Sequence, residues 1–230
     1  MENLNKDMIE YSDKKSLVKY SFYLTYAFLM TTATVTFIEA LRIQDIKARH
    51  ILNLETCISV VAAFFYGVFV DKIKNEENIN YKQINITRYT DWAITTPIML
   101  LVLVLAMLYN SGGNLLFSNY LIILALNFFM LFTGYLGEIG KISKMLGLVL
   151  GFVGFFGLYG YIYMKFLYKK YNSDNMMIYL SFIILWAIYG LVYNLKEDDR
   201  NISYNVLDLF AKCFVGIFFW AYLTKIFVLK

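Results

Sequence analysis

The chain has 230 residues, of which 60% are hydrophobic, 19% aromatic and 17% charged, with a single proline and a formal net charge of +4. A soluble domain carries about a quarter of its residues as charged side chains, so this composition, with a mean hydropathy of +0.56, excludes an ordinary soluble fold and equally excludes disorder, which needs low hydrophobicity. The positive charges are few and scattered, which excludes a nucleic-acid-binding surface, and the only cysteines, Cys57 and Cys213, read as small buried side chains rather than a disulfide scaffold.

An all-α membrane protein is therefore expected. A bilayer-spanning helix takes about 20 residues, and seven apolar stretches of that order follow one another. A polar start, Met1 to Lys15, has no signal-peptide pattern. The first span runs over 17–41, the charged segment Arg42 to His50 follows, and the second span covers 51–71. A longer loop, Asp71 to Thr87, leads to the third span at 88–109. The Asn/Ser/Gly-rich Asn110 to Asn114 precedes the fourth at 117–137, and the fifth covers 145–168. Lys169 to Asn175 leads to the sixth at 176–195, and Lys196 to Asn201 to the seventh at 203–228. This organisation divides the chain into a polar N-terminal segment, 1–15, and one seven-helix transmembrane domain, 16–230, with no room for a soluble enzyme or signalling domain. Seven spans place the two ends on opposite sides, but Lys and Arg are similarly numerous on both, so the orientation does not follow from charge.

Ionisable side chains at membrane depth cost a few kcal/mol each and are functional candidates by default. They are Glu55 near the start of the second span, Arg88 and Asp91 on the third, and Asp208 and Lys212 on the seventh. Asp208 and Lys212, four residues apart, stack on one helix face at about 6 Å of axial rise. Arg88 and Asp91 share a face, with Thr95 one turn further on. A charge-neutral cluster that pins two helices together is one reading of this set. The neighbouring residues offer another: Trp92, Thr96 and Met99 form one stripe, and Trp186, Tyr189 and Tyr193 a second. Such stripes are usually core, but two of them at the depth of a buried lysine would flank a long, flat, conjugated ligand.

The segments RYTDWAITTP (88–97), GYLGEIG (134–140), WAIY (186–189) and LDLFAK (207–212) resemble the microbial rhodopsins, in order and over essentially all seven spans. The third-helix and GYLGEIG segments look most like the proteorhodopsin branch, and the Asn-, Lys-, Ile- and Tyr-rich composition is similar to viral rhodopsins. The resemblance implies a seven-transmembrane-helix bundle that holds all-trans retinal as a protonated Schiff base on Lys212. It implies Asp91 as primary counterion and proton acceptor and Asp208 as second counterion. Two carboxylates against one cation leave surplus negative charge that Arg88 can balance, and Thr95, one turn from Asp91, can hydrogen-bond its carboxylate. Tyr89, Trp92, Thr96, Met99, Trp186, Tyr189 and Tyr193 would line the retinal pocket. The electrostatics agree, because one carboxylate about 4 Å from a cation at an effective dielectric near 20 contributes roughly 4 kcal/mol. The cofactor supplies the photochemistry and the protein the geometry.

By the same resemblance the N-terminus lies outside and the C-terminus in the cytoplasm, and the activity is a light-driven outward proton pump. Such pumps carry a donor carboxylate three turns beyond the counterion, about 16 Å along the axis; here that position is Val102. Glu55 sits at a similar level on the antiparallel second helix and is the substitute donor, a role that requires burial. Alternatively it belongs to the first turn of that helix, where a negative charge favours the dipole, with its head in solvent. The competing functions are a light-gated cation channel using Glu39 and Glu55, and a photosensor acting through a separate transducer.

Other residues carry less. Glu197, Asp198 and Asp199 read as a solvated acidic loop or a proton-release site, and Glu138 as structural. Phe37 and Arg42 either face an oligomer axis or, for Arg42, snorkel to the interface; a ring-like homo-oligomer, a pentamer, is expected from the branch. His50 is the only histidine, so none can partner Asp91, and Tyr66 takes the place where some proteorhodopsins have one. Gly190 stands where a proline commonly follows the sixth-helix tyrosine, and apolar Met99 implies green absorption. The expected partners are the lipid bilayer and protons, or other cations for a channel.

Overall fold

The computed structural model describes residues 2–75, 79–168 and 170–226, with side chains from Asp13 onward except Asn75. In lipid every backbone polar group has to be satisfied within the chain, which leaves the helix as the only structure for such apolar stretches in an all-α chain. Seven helices result among the described residues: α1 (Glu2–Arg42), α2 (Ile46–Asn75), α3 (Tyr81–Ser111), α4 (Phe117–Glu138), α5 (Lys144–Leu167), α6 (Ser173–Val192) and α7 (Glu197–Leu223). Consecutive helices pack side by side and α7 closes the ring against α1 and α2. The first end of the bundle carries the start of α1 and the α2–α3, α4–α5 and α6–α7 connections. The second end carries the other three connections.

Helix ends are set by the polar punctuation. Asn80 accepts from the Gln83 amide at the start of α3, Ser143 from Leu146 at the start of α5 and Asn172 from Asn175 at the start of α6, each satisfying an orphan N-terminal donor. Gly112 ends α3 at φ +67°, a left-handed conformation suited to glycine. Gly147 and Gly154 let α5 approach α4 closely, since a Cβ on either would lie 2.9 Å from the Thr133 carbonyl oxygen or 3.1 Å from Met130 Cα.

The helices overrun the apolar stretches. The polar start continues α1 without a break from Glu2. α2 begins at Ile46 rather than 51 and continues to Asn75, and α3 begins at Tyr81 rather than 88, so both helices extend into the expected long loop. Hydropathy reports the thickness of the hydrocarbon layer, whereas the helix continues to the next cap. Cys213 is buried as expected, but Cys57 is exposed on α2. An apolar run does not say which of its faces meets lipid instead of core.

Leu100, Val102, Leu103 and Met107 of α3 pack with Ile51, Leu52 and Phe219 into a fully buried apolar core toward the second end. Two π-helical turns interrupt the ladder, Tyr163–Leu167 closing α5 and Leu209–Phe214 within α7. The second carries Lys212, consistent with the concentration of such bulges at functional sites.

Candidate functional site

Lys212 Nζ lies 2.7 Å from Asp91 Oδ2 on α3 and 3.4 Å from Asp208 Oδ1 on its own helix. Arg88, one turn before Asp91, lies 3.6 Å from Asp208 Oδ2. All four side chains are at most 1% exposed. Two cations and two carboxylates make the cluster neutral as a unit, which a buried site demands because an unpaired interior charge costs several kcal/mol.

The two carboxylates are not equivalent. Asp208 accepts the Tyr66 hydroxyl at 2.8 Å and the Tyr189 hydroxyl at 2.7 Å. Asp91 Oδ1 has no hydrogen-bond partner among the described residues. Thr95 is buried one turn along α3, but its hydroxyl donates to the backbone carbonyl of Asp91 at 2.9 Å and not to the expected carboxylate. In a helix the i−4 carbonyl is the nearest acceptor for a threonine.

Arg88 is held from several sides. It donates to the Tyr66 hydroxyl at 3.1 Å, to Asn201 Oδ1 at 3.4 Å and to Asn205 Oδ1. Its guanidinium lies 5.1 Å from the ring centroids of Phe22 and Phe69, 5.5 Å from Tyr66 and 5.7 Å from Tyr204, within cation–π range.

A cavity of about 120 Å³ opens from Lys212 and Asp208 into the bundle. Tyr89, Trp92, Thr96 and Met99 from α3, and Trp186, Tyr189 and Tyr193 from the sixth-helix segment, line this cavity. Sequence reasoning missed Tyr204, Phe152 and Phe155, which also line it. Tyr204 was accessible to it, being four residues before Asp208 and eight before Lys212 on the same face. Asn127 of α4 was missed too; it donates to Thr96 Oγ at 2.8 Å, and Thr96 in turn donates to the Trp92 carbonyl. Gly190 makes room for Phe152, since a Cβ there would come within 2.7 Å of Phe152 Cζ. Almost wholly aromatic and aliphatic, with one amine in its wall, the cavity fits a flat polyene joined to that amine.

Glu55 is 1% exposed. Because α2 starts at Ile46, Glu55 stands in its third turn, so the reading as a solvated first-turn charge does not hold. Its Oε2 would lie 3.3 Å from a Cβ on Gly216, and no cation among the described residues is within ion-pair distance. Glu138 and Arg200 form a buried two-bond ion pair at 3.1 and 3.2 Å. Arg200 was overlooked because it lies in a polar run read as a loop, whereas α7 already begins at Glu197. Of the three acids beside it, Asp199 pairs with Lys14 at 2.8 Å and Glu197 lies 3.9 Å from Arg200, so this is not a freely solvated acidic loop. Arg42 is exposed and pairs with Glu39 at 2.9 Å, and Phe37 is half exposed.

Fold and site together define the class of seven-helix, retinal-binding membrane proteins. Residues 17–226 match the family described as bacteriorhodopsin-like protein. Among solved structures, the viral rhodopsin OLPVRII is 57% identical, with 92% of this chain and 100% of that chain covered at a TM-score of 0.87. The blue light-absorbing proteorhodopsin from Med12 is 23% identical over 90% of this chain and 97% of its own, with a TM-score of 0.73. Acetabularia rhodopsin I is 22% identical over 92% and 95%, with a TM-score of 0.76; these last two share the fold. No curated protein sequence matches the chain. The chain belongs to the microbial rhodopsin family, whose members bind retinal and are light-driven transporters or sensors rather than enzymes.

Proposed function

We propose that the protein is a light-driven outward proton pump whose retinal is joined to Lys212, with the N-terminus outside and the C-terminus in the cytoplasm. The observation that carries this reading is the 2.7 Å contact between Lys212 Nζ and Asp91 Oδ2, beside an Asp91 Oδ1 with no partner among the described residues. Retinal, when bound, supplies light-driven isomerisation at the cavity's amine.

The protein residues then divide the proton's path. Asp91 accepts the proton held at Lys212 Nζ, for which its carboxylate is within direct hydrogen-bond reach. Asp208 stays fixed by Tyr66, Tyr189 and Arg88 and balances the charge at Nζ. Thr95 positions the Asp91 turn through the backbone. Trp92 and Trp186 bound the polyene and keep water from the exchange. On the cytoplasmic side the apolar core around Val102 offers no carboxylate, and the buried Glu55 returns a proton to Nζ. Met99, buried against the cavity, favours green absorption. A homo-oligomer, a pentamer, completes the reading, checked by the mass of the detergent-solubilised particle.

Voltage clamp of membranes carrying the illuminated, retinal-loaded chain tests the function. A pump gives outward current at zero applied voltage and zero gradient. A current that reverses with the ion gradient identifies a channel, and no current identifies a sensor; either result overturns the pump. Lys212→Ala is expected to abolish visible absorption after addition of retinal. Glu55→Gln is expected to slow recovery of the proton at Nζ, and an unchanged rate removes Glu55 from the mechanism.

A further inference from the structure

α2 and α7 run antiparallel in a register held at two points. Toward the first end the Tyr66 hydroxyl lies 3.0 Å from Asn205 Oδ1. Toward the second end Glu55 rests against Gly216, whose absent Cβ would stand 3.3 Å from Glu55 Oε2 and 2.9 Å from Thr32 Cγ2. Glu55 and Tyr66 are eleven residues apart on α2, and Asn205 and Gly216 are eleven apart on α7. The register therefore holds across the intervening turns, π-helical segment included. Ser59, four residues on from Glu55, stands level with Lys212, four residues back from Gly216.

Ser59 shares a face of α2 with Glu55, with Cβ atoms about 5–6 Å apart for this spacing. It is fully buried, and its hydroxyl has no hydrogen-bond partner among the described residues. Its neighbours behave differently. Thr56 donates to the Leu52 carbonyl and Thr36 to the Thr32 carbonyl, each four residues back, and Thr95 and Thr96 do the same beside the site. Ser59 makes no such bond, although leaving a buried hydroxyl unpaired is unfavourable. The Lys212 amine itself reaches one turn further toward the first end, to Asp91 and Asp208, so a hydroxyl free to turn stands axially between the Glu55 carboxyl and that amine, the order a proton relay needs.

We propose that Ser59 relays the proton from Glu55 to Lys212 Nζ, with Gly216 leaving the space on α7 that seats the Glu55 carboxyl. The Glu55 O–H bond breaks as an O–H bond forms on Ser59 Oγ. The original Ser59 O–H bond breaks as N–H forms at Nζ. Ser59 ends unchanged, Glu55 as carboxylate and Nζ as the protonated cation. The inference rests on Glu55 as the donor.

The test follows recovery of the proton at Nζ after a flash, at several medium pH values, in the retinal-loaded full chain in lipid vesicles. Glu55→Gln is expected to make the rate proportional to the proton concentration of the medium, because the donor is gone. Ser59→Ala is expected to slow recovery by about tenfold or more while leaving it independent of medium pH, because the donor remains. Ser59→Thr restores the hydroxyl and is expected to restore the rate. In retinal-free protein the ¹³C-labelled carboxyl resonance of Glu55, assigned by its loss in Glu55→Gln, is expected to move in Ser59→Ala. If Glu55→Gln recovers like the wild type, the donor reading falls and the relay with it. If Glu55→Gln is slowed but Ser59→Ala keeps the wild-type rate and resonance, the relay alone is overturned.

Discussion

Tyr66 gives its phenolic hydroxyl to Asp208 Oδ2 at 2.8 Å. From its position on the second helix it was expected to stand in for a histidine beside Asp91. It serves the other carboxylate instead, and with Tyr189 and Arg88 it saturates Asp208 with donors. Asp91 is left facing Lys212 alone, with one oxygen unoccupied by any described residue. The proposed division of roles, proton exchange at Asp91 and a fixed charge at Asp208, rests on this asymmetry.

Tyr66→Phe keeps the ring that packs on Phe22 and Phe69 and removes only the hydroxyl. Loss of a buried hydrogen bond to a charged group is expected to cost about 1.5–3 kcal/mol. The measurement is the temperature at which retinal-loaded protein loses its colour, and an unchanged temperature contradicts the assignment.

The Glu138–Arg200 pair joins the end of α4 to the start of α7 with 5% and 1% of the two side chains exposed. Glu138→Ala leaves the buried Arg200 with the long, exposed contact to Glu197 as its remaining ion pair among the described residues, at an expected cost approaching the roughly 3–5 kcal/mol of a broken buried pair. Glu197→Ala removes an acid that is 55% exposed and 3.9 Å from Arg200, and is expected to cost at most about 1 kcal/mol. Unfolding of the two variants side by side distinguishes them.

Gly147→Ala drives a Cβ to within 2.9 Å of the Thr133 carbonyl oxygen, a backbone atom that cannot swing aside. An expected loss of about 1–3 kcal/mol follows from overpacking. Gly160 on the same helix meets nothing within 4 Å, so Gly160→Ala is expected to be neutral or to gain up to about 1 kcal/mol from helix propensity. Equal effects of the two changes would contradict the close approach of α4 and α5.

Asp45 lies outside the spans, caps α2 by accepting the Lys47 and Ala48 amides, and accepts the Tyr109 hydroxyl at 2.8 Å. The Tyr109 hydrogen bond foremost, opposed by slight burial and aided by the two amides, holds its carboxyl below the usual aspartate value. A carboxyl lowered in the folded state contributes stability above its unfolded value and loses it as pH falls through the folded one. Tyr109→Phe is therefore expected to raise the Asp45 titration midpoint, measured by ¹³C NMR of the carboxyl, and to make α1–α2 loosening begin at higher pH.

Much of the site was legible because helical spacing alone relates residues on one helix. Asp208 and Lys212, Arg88 and Asp91, and the two aromatic stripes follow from a repeat of 3.6 residues. Glu55 was ambiguous because the apolar run begins a turn after the helix does, and Arg200 was hidden because a polar first turn of a buried helix reads like a loop. The Thr95 hydroxyl was assigned to the wrong acceptor on Asp91, since spacing brings both carbonyl and carboxylate into view.

Sequence by itself determined that the chain crosses a membrane seven times and which residues share each helix face, because hydropathy and helical periodicity are local properties. Tertiary structure decided which faces meet. It gave Tyr66, Tyr189 and Arg88 to Asp208, placed Asp91 against Lys212, set Ser59 level with that lysine and closed the aromatic cavity. Those choices depend on packing between helices far apart in sequence, where close approach and the need to neutralise buried charge select one register among many.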